Sequence, residues 1–396
     1  MVTYPSDWTP MQLRDIGYIQ MCRRIFQSQT KAYGAIPFYK ISTFGGKADA
    51  YISQELYEKY KLLYPYPEKG DVLISAAGTI GKAVIFDGKD SYFQDSNIVW
   101  LKVDKDAIDR KFLWWFYRSF PWNALEGTTI QRLYNSIILD TEIHLPDKPE
   151  QEGIARTLYT FDTYIDDLAE LIEKKKGIRD GALEDLISGK ARIVGFSGER
   201  KEYSINDITC EVITGGTPST SRREYYGGNI PWLASTEIHQ KRITKPTTYI
   251  TELGLQNSSA KIAPEKSVLI ALAGQGKTRG TAAYLTKPMA LNQSLAALVT
   301  NEKCNSEFLY YLVESMYSSL RELSSGDGGR GGLNKKLIKG VLVKIPIDVD
   351  EQEAIANILF AMDEEIRDLE TEREKIIQIR EGAMDDLLTG RVRLTK

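Results

Sequence analysis

Apolar residues recur every three or four positions from Ile154 to Ile172: Ile154, Leu158, Phe161, Ile165, Leu168 and Ile172. That spacing is the a/d seam of about three heptads and predicts a long helix with one apolar stripe. The same stripe returns at Ile355, Leu359, Met362, Ile366 and Leu369, with Ile376 one heptad further on. Asp147 and Pro149 mark the start of the first helix, and Asp348 or Asp350 the start of the second. Gly189 and Gly390 stand where each should stop, since glycine accepts the left-handed conformation at a helix C-terminus. About 37 residues at ~1.5 Å each would make a rod of roughly 55 Å. Ile358 and Ile377 fall outside the stripe and are expected to face outward.

The two stripes belong to a longer repeat. Residues 151–194 align with 352–395 without a gap at an offset of 201, and 19 of the 44 positions are identical. A period near 200 is too long for a solenoid and implies two halves, each a globular unit followed by a helix. Two matching seams in one chain predict mutual pairing, and antiparallel packing around a pseudo-twofold treats both halves alike.

The globular parts echo each other more faintly. Val72–Gly78 (VLISAAG) matches Val268–Gly274 (VLIALAG), and Phe112-Leu113-Trp114 falls opposite Phe308-Leu309-Tyr310. Ile36-Pro37 echoes Ile230-Pro231, and the runs 143–146 and 343–346 both end in proline before the helix. Short β-like runs alternate with Gly-rich turns, and each half carries one aromatic-rich helix, 109–119 and 306–321. The aromatic helix reads as core, not as a platform for stacking bases. The expected fold is α/β (mixed α+β), with two globular domains and two long helices in an antiparallel coiled coil. The expected domains are 1–146, 193–346 and the helical regions 147–192 and 347–396.

Composition narrows the class. No apolar run approaches the ~18 residues of a membrane span, and MVTYPSDWTP lacks the basic and apolar segments of a secretory signal. Cys22, Cys210 and Cys304 are odd in number and far apart, which argues against a disulfide framework and for a reducing, cytoplasmic setting. With only His144 and His239 and no C-x-x-C, no metal site is expected. The net charge of −3 conceals an asymmetry. Residues 1–146 carry +1 and 193–346 carry +6, whereas 147–192 carry −3 and 347–396 carry −7. An anionic ligand on the globular parts is therefore permitted.

Candidate ligand contacts lie in the Gly-rich loops. In the second half, Gly215–Arg223 is flexible, hydroxyl-rich and basic, with Thr217, Ser219, Arg222 and Arg223, and SSGDGGRGG (324–332) with Arg330 leads into Asn334, Lys335 and Lys336. In the first half the expected counterparts are 44–47 with Lys47, and 127–132 with Thr128, Gln131 and Arg132. Arginine, asparagine, glutamine and threonine read base edges, whereas lysine and backbone amides hold phosphates. The turns after the matched strands offer Thr79 and Lys82 in one half, Lys277 and Arg279 in the other. Ordinary solvated loops would have the same composition; duplication favours the binding reading. Ala271-x-x-x-x-Gly276-Lys277-Thr278 also fits a relaxed phosphate-loop pattern. The sequence RGTAAYL after it reads as a turn and strand, not the helix whose N-terminus would hold phosphate. No Asn- or Asp-Pro-Pro-aromatic methylation motif and no helicase motif set is present.

These features together resemble the specificity subunit of type I restriction–modification systems. The resemblance rests on the two-copy layout, the QE-x-I-A start of each helix, the G-A-x-x-D-L-[IL]-[ST]-G-[KR]-x-R end and the V-L-I-x-x-x-G strand with its glycine turn. It covers essentially the whole chain. It implies two target-recognition domains, each reading one half of a split, asymmetric site in double-stranded DNA. It implies that the paired helices set the spacer and dock two methyltransferase subunits, which restriction subunits then join. It implies no catalysis and no cofactor on this chain, with S-adenosylmethionine, ATP and Mg on the partners. Two alternatives stand beside it: the specificity component of a type II-like fused methyltransferase–nuclease, and a phosphate-loop ATPase using Ala271–Thr278.

Overall fold

The computed structural model describes residues 3–122, 132–274, 276–324 and 332–394. The chain divides into two compact units, one of residues 1–169 with 371–396, the other of 170–370. Each contains one globular domain and one half of each long helix.

In the first unit, the strands β1 (Thr9–Gln12), β2 (Gly17–Met21), β3 (Ile36–Tyr39), β4 (Ala50–Ile52), β5 (Val72–Ser75), β6 (Ala83–Ile85), β7 (Tyr92–Phe93), β8 (Ile98–Val103) and β9 (Glu142–Leu145) form a four-stranded sheet in the order β2-β8-β5-β6, a three-stranded sheet β4-β3-β7, and a ribbon β1-β9. β5 and nearly all of β8 are buried because the larger sheet is covered on both faces. Alternate side chains divide between two cores, as the two-residue period of a strand requires. Val72, Ile74, Val99 and Leu101 join Phe112 and Trp115 of the helix Arg110–Ser119, while Leu73, Ile98 and Trp100 join Phe38, Ile52 and Tyr92 of the smaller sheet. The aromatic helix is core, as its sequence suggests.

The second unit repeats this plan. Its strands are β10 (Arg200–Ser204), β11 (Thr209–Thr214), β12 (Tyr226–Leu233), β13 (Arg242–Ile243), β14 (Thr248–Ile250), β15 (Lys261–Ala263), β16 (Val268–Ala271), β17 (Ala282–Leu285), β18 (Met289–Leu291), β19 (Leu295–Thr300) and β20 (Leu342–Pro346). The sheets run β11-β19-β16-β17-β13 and β14-β12-β18-β15, with the ribbon β10-β20. Val268, Ile270, Ala296 and Leu298 face one core, Leu269, Ala271, Leu295 and Ala297 the other. The expected helix 306–321 is two helices, Ser306–Ser315 and Tyr317–Leu323, broken at Met316.

The long helices span Lys148–Ser188 and Val349–Leu388. Asp147 Oδ1 accepts from the Glu150 N–H and Asp348 Oδ1 from the Asp350 N–H, each 2.9 Å, satisfying amides that the first turn leaves unpaired. Gly189 and Gly390 take φ of +79° and +70° at the stops. Gln151 and Gln352 latch each helix to its own domain. Gln151 Oε1 accepts from the Asp109 N–H (2.8 Å) and its amide donates to Pro146 O (3.0 Å); Gln352 Oε1 accepts from the Asn305 N–H (2.8 Å) and its amide donates to Lys303 O (3.0 Å) and Pro346 O (2.8 Å). Asp109 and Asn305 are the N-caps of the aromatic helices, so one glutamine joins the strand end, the aromatic helix and the long helix.

Within each unit the helix halves run antiparallel. In the first, Arg393 reaches Glu150, Arg380 reaches Asp162 and Tyr164 reaches Glu372. In the second, Arg192 reaches Glu351, Arg179 reaches Asp363 and Lys176 reaches Glu370. Of the expected seam, Ile154, Leu158, Ile165, Leu168, Ile355, Leu359 and Ile366 are buried, whereas Phe161, Met362 and Leu369 are half-buried. Ile154 and Leu158 share a core with Leu387 and Leu388, and Ile355 and Leu359 share one with Leu183 and Ile187. The first two seam positions thus belong to the globular cores as well as to the pairing. Ile358 faces outward as expected, but Ile377 is half-buried and Ile379 is the exposed neighbour.

Candidate nucleic-acid interface

The strand registers bring three loops to one end of each large sheet. In the first unit, Met21 at the end of β2 pairs with Val99, Ser75 at the end of β5 with Ile98, and Ala83 at the start of β6 with Ile74. Residues 22–35, 76–82 and 94–97 therefore leave the sheet together. The Ala76 N–H donates to Asn97 O (2.7 Å), the Leu133 N–H to Ala76 O (2.7 Å) and Arg132 Nη2 to Ser96 O (2.9 Å). Lys82 Nζ donates to Phe44 O (2.5 Å) and so ties the 44–47 turn to this end. The structure thus gathers Thr79, Lys82 and Arg132, with Lys47 exposed on the attached turn. Arg132 is half-buried and its fork is partly used on backbone. Thr128 and Gln131 lie outside the described residues.

The second unit has the same construction. Thr214 pairs with Ala296, Ala271 with Leu295, and Ala282 with Ile270. The Leu272 N–H donates to Ser294 O (2.8 Å) and the Leu333 N–H to Leu272 O (3.1 Å), matching Ala76 and Leu133. Thr217 Oγ1 donates to Gln293 Oε1 (2.6 Å), and Ser219 Oγ lies 2.9 Å from Ser221 Oγ. Arg222 and Arg223 are exposed on the same loop; Arg222 stands 3.7 Å from Glu224. Lys277 and Arg279 sit in the turn after β16, braced by Tyr317 Oη donating to Lys277 O (3.0 Å) and Arg321 Nη1 to Gly276 O (2.7 Å). Asn334 Oδ1 accepts from the Leu337 N–H (3.0 Å), so this side chain caps the helix Lys335–Lys339, whose Lys335 is exposed. Arg330 lies outside the described residues.

This geometry bears out one sequence reading, the turn and strand after Thr278, and corrects another. β16 and β17 form an antiparallel hairpin around Gly276-Lys277-Thr278, with φ of +61° at Gly276. No helix N-terminus follows Thr278, so the loop lacks the amide array that holds a nucleotide triphosphate, and the ATPase alternative loses its site. The counterpart of Gly215–Arg223 is not the 44–47 turn. That turn follows β3, which pairs in parallel with β7 as β12 does with β18. The loop equivalent to Gly215–Arg223 follows β2 and holds Arg23 and Arg24, which sequence comparison missed because the two loops differ in length and share no motif.

The pairing helices carry groups whose role was not legible either. Arg179 is buried among Asp363, Glu314 and the Tyr311 ring. Burial alone would depress its pKa; the two carboxylates more than reverse that and hold it above the ordinary arginine range. Arg380, Asp162 and Arg118 form the equivalent cluster in the first unit. The identity of both residues in both repeats was the available signal.

Comparison with known proteins agrees with this construction. The family model described as the type I restriction modification DNA specificity domain matches twice, over residues 5–176 and 198–379. A Haemophilus influenzae protein, provisionally named a type I restriction enzyme specificity subunit, is 51% identical over 160 residues, which is 40% of this chain and 42% of that protein. A Methanocaldococcus jannaschii protein, provisionally named the MjaX specificity subunit of a type I restriction enzyme, is 26% identical across 98% of this chain and 95% of its own length. The crystal structure of a type I restriction–modification S subunit from M. genitalium shares the fold, with a TM-score of 0.61 at 19% identity over 96% of both chains. The chain belongs to the type I restriction modification DNA specificity family and carries that family's domain twice.

Proposed function

We propose that this chain is the DNA-recognition subunit of a type I restriction–modification enzyme. The observation that carries the reading is the duplicated sheet end. Each domain gathers loops rich in arginine, lysine and hydroxyls at one end of its large sheet, in a chain whose two domains match the DNA specificity family. Divergent loops on a common scaffold suit two readers of different half-sites. Phosphates would be held by Lys47, Lys82, Lys277 and Lys335, and base edges approached by Arg132, Arg222 and Arg223.

The chain is a non-catalytic subunit; methylation and cleavage belong to the methyltransferase and restriction subunits it assembles with. S-adenosylmethionine, ATP and Mg are assigned to those partners, and the spacer between half-sites to the paired helices. Among the described residues no helix is long and apolar enough to cross a membrane. A cytoplasmic setting, where the DNA is, fits this reading.

The test is exchange of residues 1–146 for the equivalent half of a relative, followed by sequencing of methylated bases in a host carrying the system. One half-site should change and the other persist. If both changed together, two independent readers would be the wrong description.

A further inference from the structure

We propose that the loop Cys22–Lys31, with Tyr64 beside it, is a DNA-contacting surface of the first domain. The proposal rests on the recognition reading above and extends it to residues outside the sequence-derived set.

Topology supplies the first argument. This loop leaves the edge strand β2 as Gly215–Thr220 leaves the edge strand β11, at the sheet end that also carries Thr79, Lys82 and Arg132. Each loop is fastened to the turn before the central strand in the same manner. Thr217 bonds Gln293 in one domain, and Arg24 Nε donates to Asp95 Oδ2 (2.8 Å) in the other. Asp95 adjoins Ser96, whose carbonyl takes Arg132, so the Asp95-Ser96 turn joins the new loop to the earlier candidates. Ser96 holds a φ of +52°, a left-handed conformation unusual for serine.

Chemistry supplies the second. Cys22–Lys31 (CRRIFQSQTK) has three basic residues and no acidic one. Arg23 is exposed, with its guanidinium 5.3 Å from the centre of the Tyr64 ring, and no carboxylate among the described residues lies within ion-pair distance of it. Phe26 is 60% exposed and Tyr64 37%, and both line a cleft of about 510 Å³ with Arg23, Arg24, Tyr60 and Asp95. A neighbouring cleft lined by Met21, Ser96, Arg132 and Tyr134 continues the surface. Unpaired arginine beside exposed aromatic rings suits duplex DNA. The guanidinium takes a phosphate or a groove edge, and the rings take sugar and base faces. An acidic peptide would use the arginines but gives no reason for continuity with the loops at the sheet end.

The test uses the full chain co-purified with its methyltransferase subunit, and a labelled mixed-sequence DNA duplex titrated across a range of salt. Arg23→Ala should weaken binding and lower the slope of log affinity against log salt by about 0.9, the value for one phosphate contact. Methylation sequencing in the host should show relaxed recognition at the first half-site alone if Arg23 also touches a base, with a loss of roughly 5- to 150-fold at that position. Phe26→Ala should weaken binding with an unchanged salt slope. An Arg222→Ala/Arg223→Ala variant serves as the reference. If it weakens binding while Arg23→Ala and Phe26→Ala do not, this proposal fails and the recognition reading stands; if none of the three weakens binding, the placement of DNA at the sheet ends fails as well. If Arg23→Ala loses methyltransferase from the complex while the assembled fraction binds DNA normally, the cleft holds protein and the proposal is overturned.

Discussion

Arg179 donates from Nε to Asp363 Oδ1 at 2.9 Å, and this pair recurs 201 residues away in register, where Arg380 Nη1 donates to Asp162 Oδ1 at 2.8 Å. The third partner differs. Arg179 also meets Glu314 and, at 3.4 Å, the exposed Asp180, so one cation serves three carboxylates, whereas Asp162 also meets Arg118, so one carboxylate serves two cations. The duplicated helices keep the pair; the domains supply the remainder.

Unequal costs follow from that difference. Removing Arg179, whose side chain is 6% exposed, takes the guanidinium from Asp363 and leaves Glu314 with the exposed Lys241 at 3.4 Å, and breaking such a buried pair costs about 3 kcal/mol. Arg380→Ala leaves Asp162 still paired with Arg118 and should cost less, about 1 kcal/mol. Calorimetric melting of both variants checks the order. Equal melting shifts, or a larger one for Arg380→Ala, would contradict this account.

The glutamine latch makes a second prediction. Gln352 is fully buried and makes three hydrogen bonds that join domain to helix. Gln352→Ala leaves an amide and two carbonyls unsatisfied and should cost about 2–4 kcal/mol. Gln352→Glu should be at least as damaging, because its carboxylate can accept from Asn305 but faces the carbonyls of Lys303 and Pro346 with no proton to offer. Urea unfolding measures both, and a Gln352→Glu chain as stable as the parent would refute the donor assignment.

Thiol reactivity gives a third. Burial disfavours the thiolate and pushes Cys22 and Cys304 up to about 12, while Cys210 is exposed. At pH 8 both buried thiols are protonated, and raising the pH toward 12 would be needed to ionise them. A thiol reagent at pH 8 should modify the native chain rapidly once, at Cys210, and all three cysteines after denaturation. Fast native labelling of Cys22 or Cys304 would mean that their cores open readily.

The two turn lysines should differ as DNA contacts. The Lys82 ammonium is bonded to the Phe44 carbonyl, whereas Lys277 is exposed and forms no ion pair among the described residues. Lys277→Ala should lower the salt slope of DNA binding by about 0.9, and Lys82→Ala should lower it less while loosening the 44–47 turn. Filter binding of the methyltransferase complex across salt decides it; a larger effect at Lys82 would reverse the assignment.

The sequence by itself determined the duplication, the two long helices with their stops at Gly189 and Gly390, and the aromatic helices as core. These are local or periodic properties: heptad spacing, the left-handed preference of glycine, and identity at a fixed offset are all written along the chain. Val72–Ser75 and Val268–Ala271 were legible as strands for the same reason. Tertiary structure decided which loops share a face. The counterpart of Gly215–Arg223 depends on which strand pairs with which, and that pairing is set by contacts between residues far apart in sequence, so Cys22–Lys31 was passed over for 44–47. It also decided that Asn334 is a cap and that Arg179 and Gln352 are buried. A side chain's partners are fixed by packing, and spacing along the chain carries no record of what lies across from it.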